Sequence, residues 1–380
     1  MRIHRKFRQK ILYGTIIEKM SIFAGYMNRK TTIDRSIAAI SIAAAFLGCA
    51  RIGSITNEKL DTKAAFDAWV AVHHPGVDTT ANGIYVLEDI PGTGDFVRDS
   101  NFIFVEYEQR NLEDSSLVGY TSSELAKQMG VYDETYSFDP LIFRMLKGSC
   151  SQGVLDILKG GNKLGRMRIG GTRTAIVPGW LTSTSTYYPA GNADKYVQNV
   201  SGTHYAYTIK VVGSVKDIIQ WQIDSIEAYM KNHNIAIEDT TGHRGFYYWR
   251  DRQRESRRGV EVIDSVHIPM DSTYMINYVG RFLNGKVFDT NIKDTAKLWH
   301  LYSKDGTYEP LKVTCSDDSL SYKLSGSSVI PGFSLTMHRM HPYESGRSFF
   351  TSNYGYGDKS SGIINSYSPL IFEIDIVESK

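Results

Sequence analysis

Cysteine and proline are scarce in this chain, and charge of either sign hardly prevails. The 380 residues hold three cysteines and ten prolines. Cys49, Cys150 and Cys315 stand too far apart for any CxxC or CxxH spacing, which argues against a structural zinc site. A formal net charge of +2 gives no global argument for nucleic acid as a partner. With 22% charged and 42% apolar residues, disordered and fibrous classes are excluded. There is no G-x-x-x-x-G-K-[ST] phosphate loop and no GxSxG nucleophile elbow. His338 and His341 lie three apart at the end of a predicted helix, but no third ligand stands at a telling distance. No metal and no cofactor are expected.

Long apolar runs are equally scarce. The clearest is Ile37 to Leu47, too short to span a bilayer as a stable helix. Arg29, Lys30 and Arg35 precede it, as in the basic region of a signal peptide. The run ends in FLGC, Phe46 to Cys49, which looks like a bacterial lipobox whose cysteine is lipidated after cleavage. An ordinary buried helix with a chance cysteine is the bland alternative. Residues 1–49 are thus read as an upstream segment and lipoprotein signal peptide, with the natural start at Met27. Ala50 rather than aspartate follows the cysteine, favouring the outer membrane of a Gram-negative envelope over inner-membrane retention. The expected protein is a soluble body that touches membrane only through a lipid on Cys49. Cys150 and Cys315 are expected as two separate, buried thiols.

What the chain does contain is tyrosine, 24 in all, and a repeat. FDAWVAVHHPGVDTTANGIYVLED (Phe66 to Asp89) resembles IEAYMKNHNIAIEDTTGHRGFYYWRD (Ile226 to Asp251), each leading from a helical segment into an aromatic strand. A strand with an interior tyrosine follows each, Tyr107 in one and Tyr278 in the other. Period-two alternation marks the closing strands HYAYTIKVV and SPLIFEIDIV as half-buried. The spacing predicts an amphipathic connecting helix over 215–242, through Ile218, Ile219, Ile223, Ile226 and Tyr229, free to pack on either copy. A matching helix covers about Glu58 to Val72. RDRQRESRR, Arg250 to Arg258, reads as a solvated basic loop, and LKGGNKLGRMRIGG as turn glycines around a helix end.

The second copy, from about Met275 to Val377, resembles an FKBP-type peptidyl-prolyl cis–trans isomerase. INYVGRFLNGKVFDT is similar to the family's Tyr-x-Gly-x-Leu-x-x-Gly-x-x-Phe-Asp stretch, and VIPGFSLTMHRM to its Val-Ile-x-Gly-Trp and following helix. NYGYG stands for the Ala-Tyr-Gly loop, and GIINSYSPLIFEIDIV for the last loop and strand. The resemblance implies an α+β fold: two tandem FKBP-like domains, each a curved antiparallel sheet wrapped around a short helix, joined by an amphipathic helix. The boundaries are 50–80 for tether and helix, 81–214 for the first domain, 215–242 for the connecting helix and 243–380 for the isomerase domain. An insertion falls at about 290–319.

The resemblance places Tyr278, Phe288 and Asp289 on the pocket tyrosine, phenylalanine and aspartate. Val329 and Ile330 take the pocket wall, Phe333 the floor tryptophan, Tyr356 the loop tyrosine, Ile364 the apolar loop residue and Phe372 the last-strand aromatic. The chain departs from the pattern at Phe333, which is smaller than tryptophan, and at Asn365 and Ser366, which replace prolines. In the first copy Tyr107 remains, but SLVGYTS replaces the Phe-Asp segment and Val154 the aromatic floor, so that copy reads as degenerate. The implied activity is isomerisation of prolyl bonds in exported clients, by the C-terminal domain. Proline-containing polypeptides are the implied partners, with the family's macrolides as possible ligands and no nucleic acid. A non-catalytic binding or scaffold lipoprotein is the alternative, and a chaperone whose first domain grips clients is a third reading.

Overall fold

The computed structural model describes residues 63–77, 79–80, 82–161, 164–184, 202–236, 242–259, 261–262 and 272–379. Cys49, the signal segment and the N-terminal part of the tether lie outside the described residues. The alternating segments form two antiparallel sheets. The first contains β1 (Tyr85–Ile90), β2 (Phe102–Asn111), β3 (Leu117–Tyr120), β4 (Leu141–Arg144), β5 (Thr172–Val177) and β6 (Tyr205–Val215). Their order is β1-β5-β6-β2-β3, with β4 also paired to β2.

The second sheet contains β7 (Phe246–Arg250), β8 (Thr273–Phe282), β9 (Val287–Thr290), β10 (Leu311–Thr314), β11 (Lys323–Leu324), β12 (Ser327–Ser328), β13 (Ser345–Phe350) and β14 (Leu370–Ser379). It repeats the first order as β7-β13-β14-β8-β9, with β10 on β8 in the place of β4, and adds the β11–β12 hairpin. The inferred repeat is therefore one of topology, with a central pair of long strands in each half.

Each sheet holds one short helix against its concave apolar face. In the first half α1 spans Lys63–His73, α2 Ser123–Gln128 and α3 Gln152–Lys159. The Ser151 hydroxyl caps α3 by accepting the Val154 N–H at 3.3 Å. Gly160 ends it in the left-handed region at φ 81°. In the second half the helices are α4 (Ile218–Asn232), α5 (Arg252–Arg258), α6 (Lys293–Leu298) and α7 (Pro331–Arg339). Proline at the first position of α7 fits a helix start, since that N–H would have no helical partner.

The connecting helix α4 packs on the second sheet. Ile226 and Met230 are buried against Tyr247, Phe349 and Ile371, while Trp221 reaches back to the Phe104 ring of the first half at 4.7 Å. The basic run is not a solvated loop: Asp251 caps it as α5. Arg254 reaches Asp375 at 2.7 Å, and Arg258 donates to the Ile376 carbonyl at 2.7 Å. Spacing of four residues puts both guanidiniums on the face that meets the β14 carboxylates, so the charges are matched rather than hydrated.

Residues 290–319, expected as an insertion of the second half, form α6 and β10, and α2 and β4 occupy the same places in the first. The segment is therefore part of the repeat. Within it, residues 303–307 close a turn of their own, Gly306 N–H to the Ser303 carbonyl at 3.2 Å. Cys150 and Cys315 are buried in the separate cores of the two halves, as expected.

Candidate active site

In the second half, strand register decides which side chains meet. Tyr278 pairs with Ile374 and Gly280 with Phe372, so Tyr278 and Phe372 point to one face of adjacent strands. Gly280 also pairs with Asp289 on β9. A Cβ at Gly280 would lie 2.6 Å from the Phe288 ring, so only glycine lets that ring fold over the strand. At the other side of the face, α7 sets Phe333 pointing down onto the sheet.

Phe372 is the centre of the resulting cup. Its ring lies 5.4 Å from Phe333 and 5.6 Å from Phe288, both edge-on, 6.2 Å from Tyr278, and 5.8 Å from Phe350 beneath. Edge-to-face pairs at these distances hold ring orientation better than plain aliphatic packing does. Phe333, Phe372, Tyr278 and Ile364 are buried, whereas Phe288, Val329 and Ile330 are half-buried and line the rim. The sequence-derived set is therefore brought together. The N-cap amide of Ile330 takes no part in helix hydrogen bonding and is left at the rim.

The polar side of the cup is built from Tyr278, Asp289 and Tyr356. The Tyr278 hydroxyl donates to the Asp289 carboxylate at 2.8 Å. Asp289 touches solvent on one side, yet the walls strip enough water from it to raise its carboxyl above the usual range. Its bonds from Tyr278 and the Thr290 N–H only partly offset this. Burial likewise raises the Tyr278 and Tyr356 phenols, with the Asp289 charge adding to both.

The raised Asp289 carboxyl has a measurable consequence. It keeps its proton to higher pH in the fold than in the unfolded chain, so stability falls as pH rises through that window. Asp289→Asn keeps an acceptor for Tyr278 and has no proton to take up. Thermal melts should show the wild type gaining on the variant as pH is lowered from neutral into the acid range. A difference that stays constant with pH contradicts the raised carboxyl.

Two residues that sequence reasoning missed position these groups. Asn291 is buried between β8 and the α6 segment, accepting the Tyr278 N–H at 2.8 Å and donating to the Ile276 and Glu309 carbonyls at 2.9 Å each. Thr121 accepts the Tyr107 N–H at the same place in the first half, at 2.9 Å, so the bond recurs in both halves although the residue type does not.

Gln222 on α4 is fully buried. It donates to Ser352 at 3.1 Å and the Tyr367 carbonyl at 2.8 Å, and accepts the Ser352 N–H at 2.7 Å. Those partners are the two ends of the loop that carries Tyr356 and Ile364. Gln222→Leu should cost about 1–3 kcal/mol by leaving the loop's polar groups unpaired, read as a lower melting temperature. An unchanged melt would remove Gln222 from this role.

Residues 267–377 match the family model for FKBP-type peptidyl-prolyl cis-trans isomerase. No curated protein matches the chain. Among solved structures, the three FKBP domains of wheat FKBP73 align at 14% identity over 78% of this chain and 94% of that one, with a TM-score of 0.27. A peptidyl-prolyl cis-trans isomerase from Pseudomonas syringae pv. tomato DC3000 aligns at 16% identity over 42% of this chain and 95% of that one, also with a TM-score of 0.27. The C-terminal half carries an FKBP-type peptidyl-prolyl isomerase domain.

Proposed function

We propose that the cup around Phe372 isomerises prolyl peptide bonds in polypeptide clients. The observation that carries this reading is the joining of an aromatic cup to one carboxylate–phenol pair, Asp289 and Tyr278, at its rim.

Rotation about a prolyl bond is slow because resonance makes the C–N bond partly double. In the twisted transition state that resonance is lost, so no nucleophile is required. The protein need only bind the twisted amide better than the planar forms. Phe333, Phe372 and Tyr278 enclose the proline ring and strip water that would stabilise the more polar planar amide. The Ile330 N–H and the Tyr356 hydroxyl hold substrate carbonyls on either side, and Asp289 faces the rotating carbonyl while fixing Tyr278. Val329 and Ile364 close the walls. The full chain should accelerate a proline-limited refolding reaction, and Tyr356→Phe should keep part of that rate. No acceleration by folded protein removes the enzyme reading and leaves the non-catalytic binding role.

The first half is proposed to be catalytically silent, since Gly119 and Val154 stand where Asp289 and Phe333 do. The apolar run before Cys49 supports a lipid anchor and an envelope location for the whole chain, with exported polypeptides as clients. Expression in a Gram-negative host with labelled palmitate should mark the wild type and not Cys49→Ser. Equal labelling of both contradicts the lipid anchor.

A further inference from the structure

The first half keeps a cavity of about 320 Å³ on the face that matches the Phe372 cup. The match follows from register. Tyr107 pairs with Ile209 as Tyr278 pairs with Ile374, and Tyr207 pairs with Gln109 as Phe372 pairs with Gly280. Tyr107 and Tyr207 thus hold the places of Tyr278 and Phe372, and both line the cavity. Val154, third residue of α3, holds the place of Phe333, third residue of α7.

What differs is chemistry. Gly119 pairs with Gln109 where Asp289 pairs with Gly280, so the carboxylate is gone. A Cβ at Gly119 would lie 2.6 Å from the Tyr107 hydroxyl, so the phenol occupies the room a side chain would need. Valine for phenylalanine leaves the floor open. The remaining polar wall groups, Gln109, Ser149 and Ser366, are neutral donors and acceptors. Cys150 also lines the space, and burial pushes its thiol up to about 12, so at neutral pH it reacts only slowly as a nucleophile.

Ser366 belongs to the second half, to the loop that carries Ile364 into the catalytic cup. The two sites therefore share a wall.

We propose that this cavity is a second, non-catalytic client site. It takes an aliphatic side chain, leucine- or proline-sized, of an extended polypeptide whose backbone amides meet Gln109, Ser149 and Ser366. An uncharged pocket at the small end of the usual ligand range suits one apolar residue with an adjacent amide. This rests on the reading of the second half as acting on polypeptide clients. Because the loop is shared, one client chain engages both halves.

The test uses a fluorescein-labelled, proline-free peptide, Gly-Ala-Leu-Ala-Gly, and the full chain, with binding read by anisotropy. Val154→Trp fills the cavity from α3. Affinity should fall at least about tenfold, while isomerisation of a short prolyl peptide stays within about twofold of the wild type. No binding by the wild type, or equal binding by Val154→Trp, overturns the proposal. If Val154→Trp fails to fold, slow alkylation of Cys150 in the unaltered chain decides. The peptide should protect Cys150 and leave the rate at Cys315, in the other core, unchanged; no protection overturns the site. A wild type that binds the peptide but isomerises nothing upholds this site and removes the proposed function.

Discussion

Replacing Phe372 by alanine should abolish measurable isomerase activity and lower stability together. Four rings converge on Phe372, so the truncation leaves a hole that Phe288, Phe333, Tyr278 and Phe350 cannot all collapse to fill. Truncating a buried phenylalanine costs about 3–5 kcal/mol, a large part of the stability of an ordinary domain. Phe372→Leu separates the two effects. It keeps most of the buried volume, and its stability cost should be below about half of the alanine cost. Yet it removes the edge-on surface against which the proline ring and its twisted amide would lie. The leucine variant should therefore be folded, by circular dichroism and thermal melt, and slower by about tenfold or more in a prolyl-peptide assay. A folded leucine variant with wild-type rate would mean that the cup is core and not a site.

The second large effect comes from a single added methyl. A Cβ at Gly332 would lie 2.5 Å from the Phe350 ring, and one at Gly153 would lie 2.3 Å from Val177 Cγ1. Both glycines are second in their helices, and both oppose the last residue of the strand beneath. Phe350 is fully buried and stacked on Phe372, so Gly332→Ala has nowhere to push it except into the cup. Overpacking of this kind costs about 1–3 kcal/mol or more, and here it also displaces a cup ring. Gly153→Ala should destabilise the first half comparably and leave short prolyl peptides isomerised at the wild-type rate. Equal losses of activity in both variants would contradict the assignment of catalysis to the second half.

The repeat of helix, aromatic strand and interior tyrosine was legible because period and order survive when residue identity does not. Tyr278, Phe288, Phe333 and Phe372 were legible for another reason: the ordered match to the FKBP family's motifs implies one pocket for them, and the register of β8, β9 and β14 with the start of α7 brings them together. Gln222 and Asn291 were not. Each is a single polar residue whose role depends on which backbone groups arrive beside it from more than 100 or from about 15 residues away. No local pattern records such a meeting.

The basic run at α5 misled because charge density looks the same in a solvated loop and in a matched helix. Only the Glu373 and Asp375 carboxylates, on a strand far along the chain, tell them apart. The α6–β10 segment reads as an insertion because it is longer than the FKBP family's equivalent stretch; the first half carries it too, VYDETYSFDPL and LYSKDGTYEPL having equal length and ending alike in Pro-Leu.

The most direct test of the central claim is the rate of a proline-limited refolding reaction with the full chain added, beside Phe372→Leu at the same concentration. The expected result is acceleration that rises with wild-type protein and is largely lost in the folded variant. A refolding rate that the folded wild-type chain leaves unchanged would contradict the claim that the Phe372 cup is an isomerase site.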